Sequence, residues 1–340
     1  MAIEVTPAAA AGRISRRRVL GTLAAAPGLA LPGTGVAAEA PLVTWRGPVL
    51  GALGRISLHH PDRATAERLI AAALAEIRRL EAMFSLWRGD SLLSVLNRRG
   101  VLAAPPSAMV ELLTRARAVA ELTSGAFDPT VQPLWALHAA HFAVAGADPA
   151  GPPAAALEAA LALVGHHHLH VAPDRIALAR RGMALTLNGI AQGFITDRVV
   201  TLLRAGGIAH TLVDLGEARA LGKHPAGRPW RAALADPAAP GHAWGEVALS
   251  GRALASSSDS GFVFDRAGRI THLLDPRSGR SPRRYRAVSV LAADATLADA
   301  LSTGFALMPE EAIADALAAL PGVEARLLRG DGTARRMAAG

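Results

Sequence analysis

Apolar residues between positions 64 and 84 recur at helical spacing at Leu69, Ile70, Ala73, Leu74, Ile77 and Leu80, with Arg78, Arg79 and Glu81 towards the other face. This stripe predicts an amphipathic helix packed on a core. Residues 49–58 (VLGALGRISL) alternate loosely and read as a first strand. Residues 83–97 (MFSLWRGDSLLSVLN) read as a polar turn and a short helix, and 107–124 as a further helix ended by Ser124-Gly125. The Pro/Gly/Ala stretch 142–156 reads as an exposed insertion, because a helix begins directly after it. Strands are predicted at 175–179, at 183–187 after a hairpin, at 208–215, at several places up to Val263, and at 287–291. Between them a helix follows NGIAQG and ends at Gly206-Gly207, and the last helices fall at 296–307 and 310–319. Strand clusters mixed with long helices, without a regular βαβ rhythm or an internal repeat, predict an α+β fold.

Composition narrows the picture. With 340 residues and 51% hydrophobic content the chain can bury a substantial core, as one large domain or two small ones. The net charge of +8 invites a nucleic-acid reading, but the arginines are scattered among alanines and leucines, aromatic content is 4%, and Lys223 is the lone lysine. Such usage reflects compositional bias and lacks the basic stripe of a nucleic-acid binder. Near the start, Ser15-Arg16-Arg17-Arg18 precedes an apolar stretch to about Leu31 and then Val36-Ala37-Ala38 before Glu39. A basic segment, a short apolar segment and small residues make an export signal over residues 1–38, and the paired arginines point to the twin-arginine export machinery. The alternative is a basic cytosolic terminus. The apolar part is short and interrupted by Pro27 and Pro32, so a soluble protein of the bacterial periplasm is expected. No cysteine is present, which excludes disulfides, thiolate ligands and thiol catalysis.

Three stretches could carry chemistry. In MALTLNGIAQGFITDR (183–198), Asn188-Gly189 sits where a strand must turn into a helix, with Gly193 on the same helix face as Gly189. Free N–H groups at a helix start bind anions and absent side chains admit a phosphate, yet close helix packing explains the two glycines equally well. In DATLADALSTGFALM (294–308), Asp299 and Thr303 stand at i and i+4 with Ser302 beside them. Hard oxygen ligands of this kind suit Mg²⁺ or Ca²⁺; the alternative is an N-cap aspartate and a threonine bonded back to its helix. In ITHLLDPRSGR (270–280), Asp275-Pro276 starts a turn that Gly279 closes, holding His272 on the rim of a strand as a base or as a structural histidine.

Together, and in this order, these stretches resemble the ApbE-type FAD:protein FMN transferases. The family pattern has DLGGIAKG, then hHIIDPxTG, then ADALATAL; here they stand as TLNGIAQG (186–193), THLLDPRSG (271–279) and ADALST (298–303). MFSLWRGDSLLSVLN is similar to the family's MSxYxxDSxxSxxN, and GAFDPTVQPLW (125–135) to its GAFDxTVxPLxxxW, so the likeness runs from about Gly51 to Thr303. It implies one α+β domain over residues 42–340, built as two interleaved α/β subdomains of T-fold-like type with a flavin-nucleotide cleft between them. It also implies transfer of the FMN half of FAD to a Thr or Ser hydroxyl of an acceptor protein, with release of AMP and a need for Mg²⁺.

By the same resemblance, Asp299 and Thr303 would ligate Mg²⁺, with the carbonyl near Gly189 as a further ligand and Ser302 beside them, and His272 would be the base. Trp87, Ala126, Phe127 and Asp128 would line the cleft, Leu274 would contact FAD, and Thr186 and Gln192 would lie on its nucleotide side. Thr186 stands where the family has Asp, Asn188 where it has Gly and Gln192 where it has Lys; Gln192 can donate a hydrogen bond but cannot neutralise phosphate charge. Gly216-Glu217 and Ser256-Ser257-Ser258 depart from Gly-Gly-Asp and Thr-Ser-Gly. This variant turn with twin-arginine export resembles the NosX-type branch, whose implied acceptor is a membrane flavoprotein of nitrous oxide reduction. Two competing functions are a Mg²⁺-dependent FAD pyrophosphatase and a non-catalytic FAD-binding assembly protein. HHHLH (166–170) could hold a transition metal, although alternate residues of a strand face opposite ways. Arg277, Arg280, Arg283, Arg284 and Arg286 read as a solvated rim that could guide an acidic acceptor.

Overall fold

The computed structural model describes residues 40–339, so the export segment expected at 1–38 lies outside the described residues. The chain enters through an antiparallel hairpin of β1 (Leu42–Val49) and β2 (Ala52–His59), turned by positive φ at Leu50 and Gly51. The predicted amphipathic helix follows as α1 (Arg63–Phe84). Asp62 caps it by accepting from the N–H groups of Ala64 and Thr65, and the stripe of Ile70, Ala73, Ile77 and Leu80 is buried. Next come α2 (Leu92–Arg99), β3 (Val101–Ala103), α3 (Ser107–Leu122), α4 (Gln132–Phe142) and α5 (Ala154–Leu161), then β4 (Leu169–Val171) and β5 (Arg175–Leu178). A long helix α6 (Ala191–Ala205) leads to β6 (Thr211–Asp214), β7 (Ala218–Leu221), β8 (Trp230–Ala235), β9 (Ala243–Leu249), β10 (Ala253–Ser258) and β11 (Tyr285–Ala292). The described chain closes with α7 (Ala295–Phe305), α8 (Glu310–Ala318), β12 (Glu324–Arg329) and β13 (Ala334–Ala338).

One antiparallel sheet of eight strands, ordered β1-β2-β6-β7-β10-β11-β12-β13, joins the first hairpin of the chain to its last. A three-stranded sheet β3-β5-β4 and the β8-β9 hairpin complete the β structure. The α+β class read from the element pattern is therefore correct. Helices α6 and α7 pack on each other, with α1 against α6 and α7 against β10 and β11. This helix pair sits in the main core, where Phe194, Val199, Leu301 and Phe305 are buried. No helix among the described residues is long and apolar enough to cross a membrane.

The structure departs from the sequence reading at several elements. The first strand of the reading straddles a turn, because the apolar alternation runs through Leu50-Gly51; β1 before it and the final β12-β13 hairpin were not foreseen. Residues 183–187 form no strand and join no sheet. Instead, the Asn97 side chain takes the place of a neighbouring strand: its amide donates to Leu185 O at 2.9 Å and its oxygen accepts from Leu185 N–H at 2.7 Å. On the far side Thr186 N–H donates to Pro129 O at 2.8 Å. An alternating sequence cannot distinguish a strand ladder from a segment held by a side chain.

Candidate functional site

A cleft lies where five segments of the chain meet. Ala126, Phe127, Asp128 and Trp135 form one wall; Thr186, Asn188 and Gly189 another; Ser258, Phe262, His272 and Leu274 a third. Thr303 of α7 and Leu307 lie at the base, and Trp87, 67% exposed, stands over the lip. Of the residues named from sequence, Trp87, Ala126, Phe127, Asp128, Thr186, Gly189, His272, Leu274 and Thr303 line this cleft. Gln192, Asp299 and Ser302 do not line it; Asp299 and Ser302 are fully buried.

Behind Trp87 the DSLLSVLN segment carries Ser91, Ser94 and Asn97 at a spacing of three, a helix-face pattern. Ser91 caps α2 by accepting from Ser94 N–H at 3.0 Å and donates its hydroxyl to Ser85 O at 2.6 Å. Ser94 donates to the same carbonyl at 3.3 Å, and Asn97, one turn on, grips Leu185. These three side chains therefore tie the loop carrying Trp87 to the segment that ends in Gly189, a positioning role.

Asp128 is a clamp within the opposite wall. One carboxylate oxygen accepts from the Thr130 N–H at 2.8 Å and its hydroxyl at 2.6 Å; the other accepts from the His166 N–H at 2.8 Å and lies 3.1 Å from His166 Nδ1. His166 to His168 form a 3-10 turn before β4, and His166 is spent on Asp128. Among the described residues no group of three or more His, Asp or Glu is placed to hold a metal ion. The hydrogen bond to Asp128 raises the His166 pKa, against the opposing effect of burial. A raised folded-state pKa stabilises the fold fully below the unfolded value of about 6.5, and the gain fades as pH rises through the folded-state value. His166→Gln is therefore expected to cost about 1 kcal/mol at pH 5.5 and little at pH 9, read from urea denaturation midpoints.

The glycine turn divides its duties. A Cβ on Gly193 would overlap the Ala295 carbonyl and lie 2.9 Å from Asp299 Cβ, so Gly193 permits the close crossing of α6 and α7. Its N–H donates to Asp299 Oδ2 at 3.0 Å and is not offered to the cleft. Gly189 does face the cleft, and a Cβ there would come within 2.8 Å of Thr303 Oγ1. Gln192 turns away, its amide donating to Leu215 O against Gly216. Behind Thr303, Ser257 Oγ lies 2.8 Å from Ser302 Oγ and 3.4 Å from Thr303 Oγ1, a buried hydroxyl cluster between β10 and α7. The packing reading of the motif thus applies to Gly193, and the ligand-facing reading fits Gly189.

His272 is carried by a hairpin paired through Val263 and Thr271, with Phe264 N–H donating to Ile270 O and His272 N–H to Phe262 O, both at 2.8 Å. Its Nδ1 lies 3.2 Å from Phe262 N and 3.1 Å from Phe262 O, and its ring fills the space a Cβ on Gly261 would take, 2.5 Å from Cε1. The turn after it is held as predicted, with Gly279 N–H donating to Asp275 O at 2.8 Å and Arg277 paired to the Asp275 carboxylate. The arginine run is largely tied down: Arg283 pairs with Asp259, Arg286 with Asp236, and Arg284 donates to Leu307 O. Sequence reasoning assigned no role to Phe262 or Trp135, whose rings stand 5.9 Å apart in the cleft wall. The only signal for Trp135 was its place in the GAFDPTVQPLW segment, and Phe262 had none.

The ApbE family profile matches residues 50–327. An FAD:protein FMN transferase of Treponema pallidum is 31% identical over 322 residues, covering 85% of each chain. That of Klebsiella pneumoniae is 30% identical over 277 residues, covering 78% of this chain and 79% of its relative. The crystal structure of the Pseudomonas stutzeri flavinyl transferase ApbE, apo form, superposes with a TM-score of 0.74 at 28% identity, over 88% of this chain and 96% of that one. The ApbE protein of Thermotoga maritima gives a TM-score of 0.76 at 26% identity, over 87% and 97%. Both the sequence profile and these folds span the elements that build the cleft, and the chain belongs to the ApbE family.

Proposed function

We propose that this chain is a periplasmic, Mg²⁺-dependent FAD:protein FMN transferase that joins FMN to a Thr or Ser hydroxyl of an acceptor protein and releases AMP. The observation that carries it is the cleft itself, which sets His272 in one wall, Gly189 in another and Thr303 at the base beneath an exposed Trp87. A family likeness in both sequence and fold adds to it.

The donor set fits a hard divalent ion. Asp299 and Thr303 stand one turn apart on α7, the Gly189 backbone approaches Thr303 closely, and the neighbouring donors are the hydroxyls of Ser257 and Ser302. One carboxylate among neutral oxygens is the sparse set used by Mg²⁺ that also takes substrate phosphates. Asp299, Thr303 and the carbonyl near Gly189 would hold the ion, with Ser302 supporting Thr303. When bound, it would offset charge on the pyrophosphate as AMP departs.

The protein's own residues do the rest. The acceptor hydroxyl oxygen bonds to the flavin-side phosphorus, the bond from that phosphorus to the AMP oxygen breaks, and AMP leaves. In the tautomer whose Nδ1–H donates to the Phe262 carbonyl, 3.1 Å away, His272 takes the hydroxyl proton at Nε2. Trp87, Phe127 and Leu274 supply apolar surface for the flavin nucleotide. Gln192 turns away from the cleft and brings no cation to it, so an ion held beside the turn at Gly189 would be the group that offsets phosphate charge. The basic, apolar and small segments at residues 1–38 support twin-arginine export, and with the Thr186, Asn188 and Gln192 departures we assign the chain to the NosX-like branch. Its acceptor is then a periplasm-facing domain of a membrane flavoprotein serving nitrous oxide reduction.

The test is purified protein incubated with FAD, Mg²⁺ and such an acceptor domain, followed as covalent flavin fluorescence on a denaturing gel. Labelling is expected, and EDTA or Asp299→Ala should lower its rate by about 10²–10³-fold. Labelling untouched by both would remove the metal from the proposal. FAD bound without any product would favour the assembly-protein reading.

A further inference from the structure

Asp197 is a buried carboxylate on α6, one turn beyond Gly193, and the chemistry above does not use it. Its side chain reaches across to α7. Oδ1 accepts from Ala295 N–H at 2.9 Å, and Oδ2 accepts from Thr296 N–H at 2.9 Å and from the Thr296 hydroxyl. Arg219 of β7 pairs with Oδ1.

The first N–H groups of a helix have no partner within it and are usually capped by the residue just before. Asp294 performs that duty for Leu297 N–H, at 2.8 Å, and is itself held by Arg115. The two N–H groups ahead of Leu297 are satisfied by a side chain of another helix. A carboxylate at the positive end of α7 is favoured electrostatically, and burial removes the screening that weakens such pairs at a surface. α7 is thereby fixed to α6 at three places: the Asp197 cap, the Gly193 contact with the Ala295 carbonyl, and the Gly193 N–H bond to Asp299 Oδ2. These places fall on the first two turns of α6, which follow Gly189, and on α7 from Ala295 to Asp299, one turn before Thr303.

We propose that Asp197 is a positioning residue for the divalent-ion site: by capping α7 from α6 it sets the rotation and depth of α7 that place Asp299 and Thr303 against Gly189. This inference rests on the metal reading above. Residues that orient ligands without touching the metal are commonly worth about 10–100-fold in metal affinity.

The test is titration of the apo protein with Mn²⁺ alone, followed by loss of the free-ion electron paramagnetic resonance signal, with FAD binding measured separately by quenching of flavin fluorescence. Asp197→Ala is expected to weaken Mn²⁺ binding by about ten-fold or more while FAD binding changes little, and its transfer rate should recover as Mg²⁺ is raised. Asp197→Asn keeps one acceptor oxygen for the α7 N–H groups and should fall between; it also serves if the alanine variant does not fold. Asp62→Ala removes the cap of α1, far in sequence from the site, and should lower stability without moving Mn²⁺ affinity. Wild-type Mn²⁺ affinity in both Asp197 variants would overturn the inference and leave the transferase reading intact. A wild-type protein that takes up no Mn²⁺ and transfers flavin without metal would overturn the metal assignment and this inference with it.

Discussion

His272→Ala is expected to lower the single-turnover rate of flavin transfer by about 10²–10⁴-fold, the range typical of losing a positioned general base. FAD affinity should change little. The ring sits on a short hairpin whose backbone bonds, Phe264 to Ile270 and His272 to Phe262, do not need the imidazole. The space beneath it at Gly261 is at the cleft surface, so removing the ring opens the cleft and leaves the core intact. Rapid mixing of FAD-loaded protein with acceptor, quenched and read as covalent flavin, measures the rate; flavin fluorescence quenching measures binding. A variant that binds FAD normally and transfers at the wild-type rate would remove His272 from the chemistry.

Gly193→Ala is expected to destabilise the fold by about 2–3 kcal/mol or more, the upper end for overpacking a core. The added methyl would overlap the Ala295 carbonyl, and a backbone group fixed by the Asp197 cap cannot swing aside as a flexible side chain would. Relief requires α7 to move off α6, which breaks the Gly193 bond to Asp299 and shifts Thr303 from Gly189. Stability and Mn²⁺ affinity should therefore fall together. Gly330→Ala, where an added methyl meets nothing within 4 Å, should stay within about 0.5 kcal/mol of wild type. Urea denaturation of the two variants makes the comparison.

Much of this was legible in the residues, for identifiable reasons. The apolar stripe of α1 has a single burial solution, and Ser124-Gly125 and Gly206-Gly207 punctuate their helices, so those elements fall where the periodicity puts them. The motif segments could be placed at one cleft through their order and their resemblance to the ApbE pattern, since each read alone fits a packing or capping role as well. What escaped depends on pairing across long stretches of chain. Residues 183–187 alternate like a strand, yet their partner is the Asn97 amide, and no local pattern reveals a side chain standing in for a ladder. The roles of Gly189 and Gly193 could not be separated from sequence, since the distinction lies in how closely α7 approaches each. Asp197 reads as an ordinary polar residue of an amphipathic helix until Ala295 and Thr296 are seen beside it.

The most direct measurement is the ratio of AMP released to flavin joined to the acceptor, taken in one reaction of protein, FAD, Mg²⁺ and acceptor domain. Group transfer to a hydroxyl predicts one AMP for each covalently labelled acceptor, with no free FMN and no AMP when the acceptor is left out. AMP appearing with equal free FMN and an unlabelled acceptor would contradict transfer and identify water as the nucleophile, making the protein an FAD pyrophosphatase.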